Sequence, residues 1–222
     1  MAEHLILADS QSVRDALTFV GRAAQVNDDG VRVQASRGVL AMLAPALAPR
    51  GLFDSTPLIL VLRVLNADPE LECDLTVETL TESTDPCALR LPEVAVARTW
   101  ANVEVPHGGW TQTAEISEEV LHDEARAGSA DVAHALPLNP GRDVLNKVRG
   151  KVWGEPSAAL ANLPRGVAFA SSMFGFLHPT GHSASVWRAV RWFRMSHENG
   201  HVLYRGPVAE GLTQIRRTGP RR

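Results

Sequence analysis

The chain has 222 residues, 45% of them apolar and 21% charged, and a formal net charge of −3. Those proportions belong to an ordinary folded protein and exclude an intrinsically disordered chain. No apolar run approaches the roughly 20 residues of a membrane-spanning helix, and the N-terminus, MAEHLILADS, has an acidic residue where a signal peptide needs basic ones.

The cytoplasm is therefore the expected location. Cys73 and Cys87 are the only cysteines, and a core of this size needs no covalent staple, so both read as thiols in a reducing compartment.

In chain order, His4–Ala8 reads as an opening strand. Asp9, Ser10 and Ser12 are helix-capping residues, and Val13, Leu17, Val20 and Ala24 then recur at helical spacing. Asn27-Asp28-Asp29-Gly30 stops that helix. Val31–Ser36 and Val39–Ala44 form a hairpin about Arg37-Gly38. Pro45–Pro57 reads as a loop, and Leu58–Leu65 as a strand buried on both faces. Cys73, Leu75 and Val77 alternate with polar residues, which gives a strand with one wet face.

Thr79–Thr84 reads as a short helix, and Val94–Val96 and Val103–Val105 as short strands flanking Trp100. A strand at Trp110–Glu115 leads into the strongest helix signal. Ser117 caps it, Glu118 and Glu119 suit the positive end of its dipole, and Ile116 staples to Leu121. Leu121, Ala125, Gly128, Val132 and Ala135 are its buried stripe. Asn139-Pro140 opens a further helix with Val144, Val148 and Val152 on one side. Gly154–Pro164 reads as a linker and Gly166–Leu177 as a buried helix. Val186–Met195 and His201–Arg205 are strands joined through Asn199-Gly200.

These elements make an α+β protein of mixed or antiparallel sheets with packed helices. The expected division is a β-rich lobe over residues 1–90, an α+β lobe over 91–205 and a basic flexible tail over 206–222. The strand–helix–hairpin–strand–strand order of the first 85 residues is similar to one lobe of the DNA sliding-clamp fold, and the Trp110 strand with the Ser117 helix would begin a second. The acidic residues of that helix, Glu118, Glu119, Asp123, Glu124 and Asp131 against Arg126, would repel phosphate and argue against a clamp's work on DNA.

The net charge conceals an asymmetry. Residues 1–140 carry 9 Lys/Arg against 21 Asp/Glu, a net −12, and residues 141–222 carry 13 against 4, a net +9. Such a split suits an acidic partner, protein or nucleic acid, at the C-terminal part. Arg188, Arg191 and Arg194, interleaved with Trp187 and Trp192, are the candidate contact residues. A winged helix-turn-helix is disfavoured, because the apolar segment Gly166–Leu177 offers no polar recognition face.

His197-Glu198-Asn199-Gly200-His201 matches HExxH in letters. That string binds zinc when a helix sets both histidines on one face. Asn-Gly breaks a helix, and the flanks are strand-like, so the expected structure is a hairpin tip with two solvent-exposed histidines. His178 and His182 add to a histidine cluster, so a zinc site drawn from His178, His182, His197, Glu198 and His201 is the alternative, and a zinc-dependent hydrolase its chemistry. Gly181–Ser185 resembles a nucleophile elbow but lacks its final glycine and its strand-to-helix setting. No standard nucleotide-binding or CxxC motif occurs.

The segments Val31–Ser36 with Gly38–Ala41, Arg50-Gly51-Leu52, Gly108-Gly109-Trp110 and Val152-Trp153-Gly154 resemble those of a family of actinobacterial proteins with no established activity. The likeness runs to about Arg205 and implies a bacterial cytosolic α+β protein, with no site residues carried over. The expectation is a non-enzymatic binding or scaffold protein without a cofactor, with a zinc hydrolase, a DNA-binding protein and a homo-oligomer as alternatives.

Overall fold

The computed structural model describes residues 4–51, 54–178 and 181–207. The first half contains β1 (His4–Ile6), α1 (Ser10–Val26), β2 (Val31–Ser36), β3 (Val39–Leu47), β4 (Leu58–Asn66), β5 (Cys73–Val77), β6 (Thr81–Glu82) and β7 (Ala88–Arg90). The second contains β8 (Thr111–Ser117), α2 (Glu118–Ala135), α3 (Arg142–Gly154), β9 (Pro156–Ser157), β10 (Leu163–Pro164), α4 (Gly166–Met173), β11 (Ser183–Ala189), β12 (Trp192–Ser196) and β13 (His201–Arg205).

Eight strands form one antiparallel sheet in the order β5-β2-β3-β4-β13-β12-β11-β8. β4 of the first half pairs with β13 of the second, Val61 opposite Val202, so one sheet runs through both halves. β1, β7 and β6 make a small second sheet. The protein is α+β, as the alternation of strand and helix patterns predicts.

The large sheet is covered on both faces. Helices α1, α2 and α4 pack on one side, and Phe19, Leu121, Val167, Ala170 and Phe174 join Ile59, Val61, Val186, Met195 and Val202 in the main core. On the other side Trp100 and Ala101, with Val103, Val105 and Trp110 partly buried, cover Leu43, Leu58, Leu60, Trp192 and Leu203. Residues 58–61 are consequently buried in succession, which is why β4 reads as an unbroken apolar run.

Local chemistry sets the element ends. The Asp9 carboxylate accepts the Ser12 N–H at 2.7 Å and caps α1. That helix buries Val13, Ala16, Phe19, Val20, Ala23 and Val26, so its core stripe is rotated from the sequence reading, and Ala24 is exposed. Arg37 (φ 51°) and Gly38 (φ 81°) are both left-handed, as a two-residue hairpin turn between right-twisted strands requires.

Several segments depart from expectation. Residues 79–84 form no helix; Thr81–Glu82 pairs with β7. Val94 is exposed and lies in no strand, and Trp100 sits in a single 3-10 turn, Thr99–Asn102. The Trp100 indole donates to the Asp29 carbonyl at 3.0 Å, and this anchor replaces strand pairing. Pro45 stays within β3 at a register shift, a position that tolerates its missing N–H. The stretch 154–164 is an ordered turn closed by β9 and β10. α4 ends at Met173, and Gly175 turns the chain at φ 66°. Residues 186–195 form two strands, folded back at Val190-Arg191. Of the expected basic tail, residues 208–222 lie outside the described residues.

Candidate functional site

β8 passes directly into α2, and Ser117 makes no side-chain cap. Glu118 does the work at that junction instead. Its residue is only 2% exposed, and its carboxylate points into the protein. One oxygen accepts the His178 amide N–H at 2.6 Å, the other lies 3.1 Å from His197 Nδ1, and the Glu118 N–H donates to the His182 carbonyl at 2.9 Å. One side chain thus ties the start of α2 to the loop after α4 and to the β12–β13 hairpin tip. Burial pushes this carboxyl upward, but the bonds from the His178 amide and His197 prevail and hold it below the usual carboxylate range.

His197 is buried against Phe176, and its Nε2 lies 2.9 Å from Ser171 Oγ. Burial pushes this imidazole below its ordinary value, against the opposing pull of Glu118. In a neutral ring Nδ1–H donates to Glu118 and Nε2 is left as an acceptor beside Ser171 Oγ, whose single hydrogen is shared between Nε2 and the Val167 carbonyl, each at 2.9 Å. Ser171, His197 and Glu118 therefore stand in the order of a nucleophilic relay. Ser171 is 0% exposed, however, on a helix face under the sheet, so no substrate atom reaches its Oγ. The array fastens α2, α4 and the hairpin together.

The HExxH string is a hairpin tip, with the His197 N–H donating to the Gly200 carbonyl at 2.9 Å. Its histidines are not solvent-exposed as the sequence led one to expect. His197 is buried, and His201 is half-buried on the opposite sheet face, with Nδ1 3.1 Å from Ser196 Oγ. The tip is drawn inward by Glu118 and by packing of Gly200 on Phe176, where a Cβ would meet ring carbons at 2.5 Å. His178, His182 and Glu198 do converge. Ligand atoms from all three lie within 4.8 Å of one another. The structure thus divides the five metal candidates into a convergent three and two that point elsewhere.

His201 is pushed down to about 4, by burial first and then by Arg194, His197 and Arg63. Both His197 and His201 stay neutral in the folded protein at a pH where the unfolded chain protonates them. Stability is therefore expected to be level above about pH 6.5 and to fall as the pH drops toward 4. His201, whose partial exposure trims the effect, contributes about 2–3 kcal/mol of that fall. Denaturant melts across this range check it, and His201→Gln should flatten the slope.

The arginines do not form one row. Trp187 pairs with Arg194, and Arg188 with Phe193, so Arg188 and Arg194 lie on opposite faces. Arg188 covers the Phe193 ring at 5.5 Å. Arg194 sits over Trp110 at 4.7 Å and Trp187 at 5.5 Å, and burial lowers its pKa. Arg191, in the turn, meets Arg205, a residue that sequence reasoning did not single out. The two line a cleft of 490 Å³ with Thr56, Pro57, Trp100 and Tyr204, a volume within the roughly 300–1,000 Å³ usual for ligand sites. Burial, then repulsion from Arg191, lowers the Arg205 pKa. The Nε atoms of Arg191, Arg194 and Arg205 are buried without a hydrogen-bond partner among the described residues. Asp54, on the far lip, is engaged by the Arg50 and Thr56 amides at 2.8 and 2.9 Å.

Two family models match this chain. Residues 1–102 match DUF8010 and residues 105–209 match DUF8185, each described as a domain of unknown function. No curated protein sequence matches the chain. Among solved structures, a protein described as a DNA polymerase III beta subunit, from Eubacterium rectale, is similar with a TM-score of 0.51 at 8% identity. The match covers 96% of this chain and 66% of that one. The DNA polymerase sliding clamp of Caulobacter crescentus aligns with a TM-score of 0.47 at 8% identity, over 99% of this chain and 69% of that one. At such identity the likeness is one of fold, and the first of these structures bears out the sliding-clamp-like architecture. Among the described residues no helix is long and apolar enough to cross a membrane.

Proposed function

We propose that the protein is a non-enzymatic binding protein that takes an acidic peptide segment of a partner into the Arg191–Arg205 cleft. The reading rests on one observation: Arg191 and Arg205 line the same cleft, close enough for each guanidinium to feel the other's charge. A carboxylate entering the cleft would offset the repulsion between these two like charges. Prolines and Trp100 in the same cleft suit an extended chain passing between them. Val190, at φ 53° and 87% exposed, shares with Arg191 the two-residue turn between β11 and β12.

The two free cysteines suit a reducing compartment such as the cytoplasm, and the basic C-terminal part suits an acidic partner. DNA is the weaker candidate. α2 exposes Glu119, Asp123 and Asp131, with Arg126 beside Asp123 and Arg165 beside Asp131, and a helix face with so little positive charge to spare gives phosphate no attraction.

Fluorescence anisotropy of a glutamate-rich peptide, repeated across a salt series, tests the reading. Affinity should fall with salt, and Arg191→Ala and Arg205→Ala should each weaken it by about tenfold. Arg188→Ala, on the opposite face, should leave it unchanged. Salt-independent affinity, or equal losses in all three variants, would remove the cleft from the argument. Tighter binding of a DNA oligonucleotide at matched charge would favour the nucleic-acid alternative.

A further inference from the structure

The geometry points to a divalent metal site of the zinc class at His178, His182 and Glu198, with Glu118 as the carboxylate behind it. This site is independent of the arginine cleft.

Three segments bring the ligands together. His178 follows the turn after α4, His182 precedes β11, and Glu198 stands at the tip between β12 and β13. Glu118 and His122, on the first turns of α2, hold this loop through its backbone. The Glu118 carboxylate takes the His178 amide, its N–H meets the His182 carbonyl, and His122 Nε2 lies 3.2 Å from the His178 carbonyl. The ligands therefore project from anchored backbone.

The distances suit a small ion. Zinc–ligand bonds of about 2.0–2.1 Å at tetrahedral angles put ligand atoms roughly 3.3 Å apart. His178 Nε2 and Glu198 Oε2 are separated by 3.3 Å. The His178 and His182 rings stack with centroids 4.4 Å apart, so their in-plane lone pairs run side by side, and exposed His182 has to turn out of the stack to bring a nitrogen onto the ion.

The second nitrogen of His178 supplies an independent sign. His178 Nδ1 is buried without a hydrogen-bond partner among the described residues, and Glu118 Oε2 is 3.4 Å away. Metal-bound imidazoles usually turn their other N–H to a carboxylate, which fixes the tautomer and raises ligand basicity. A metal on Nε2 would keep the proton on Nδ1, facing Glu118. Asn199 Nδ2, now 3.3 Å from Nε2, would yield that lone pair.

Two imidazoles and one carboxylate favour zinc and its transition-metal neighbours over calcium or magnesium, which prefer all-oxygen shells. Of the HExxH string only Glu198 takes part; His197 serves Ser171 and Glu118, and His201 serves Ser196. The bound ion would act as a clip between the loop after α4 and the hairpin tip.

The test uses the full chain, free of any histidine tag and stripped with a chelator, titrated with Zn²⁺ by calorimetry and with Co²⁺ by visible absorption. One equivalent should bind, raise the unfolding midpoint and give Co²⁺ bands of low coordination number. His182→Ala and Glu198→Ala, both at exposed positions, should each weaken binding by at least about 100-fold, the upper end of what loss of an outer-shell partner alone costs. His134→Ala, on the exposed end of α2, and His201→Ala should leave it intact. No stoichiometric uptake, a fall in only one of the two ligand variants, or an equal fall in either control would overturn the site.

Discussion

Glu118→Ala is expected to lower folding stability by about 2–5 kcal/mol, because it leaves two donors inside the protein without their acceptor, at about 1–3 kcal/mol each. The His178 amide and His197 Nδ1 both lose their acceptor. Glu118→Gln keeps one acceptor oxygen and should lose less, about 1.5–3 kcal/mol. Glu119, the exposed neighbour with the same helix-dipole position, is the control, and Glu119→Ala should stay within about 0.5 kcal/mol. Urea denaturation at neutral pH measures all three. A loss for Glu118→Ala no larger than the control's would refute the network's role. Because the Glu118 carboxyl lies below its ordinary value, its contribution is present above about pH 4.5 and disappears as the pH falls through the folded value.

The second large effect is at the contact between α2 and α3. Trp153 is 2% exposed and stacks on Phe169 with centroids 4.7 Å apart. Gly128 of α2 lies against its edge, and a Cβ there would meet the ring carbons at 2.1 and 2.5 Å. Trp153→Ala should cost about 3–5 kcal/mol through the cavity it leaves. Gly128→Ala gains about 1 kcal/mol of helix propensity but forces the ring off its stack, so the net result should be a loss of about 1–2 kcal/mol. In the double variant the clash disappears with the ring, so the losses should fall short of their sum by about 1 kcal/mol or more. Additive losses would mean that the glycine does not serve the tryptophan. α3 depends on this anchor, since Val144, expected on its inner side, is 44% exposed.

The division between what was legible and what was not follows the range of the interactions. The β2–β3 hairpin, the β4 run and the α1 cap were readable, because each depends on neighbours within a few residues: Arg37-Gly38, Leu58–Val61, Asp9 with Ser12. The segment around Trp100 was misjudged because its partner, Asp29, is distant in sequence, and Thr81 because its two-residue strand is too short to show an alternating pattern. Val186–Met195 looked continuous because no glycine or proline marks its turn. Glu118 carried only the signal of a helix N-terminus, and Ser171 carried none. Neither residue type announces that a histidine about 80 or 26 positions away will meet it.

The sequence by itself determined an α+β chain with strong local punctuation, and it already denied HExxH a helix, since Asn199-Gly200 bends the backbone wherever it is placed. Only the tertiary structure decided which way each imidazole at that bend faces. Strand alternation puts His201 on one side of the sheet, and the Glu118 carboxylate draws His197 to the other. Glu198 is left at the tip beside His178 and His182, and Arg191 is brought to Arg205 through the pairing of β12 with β13. Such meetings depend on sheet register and on long-range packing, which local residue patterns do not encode.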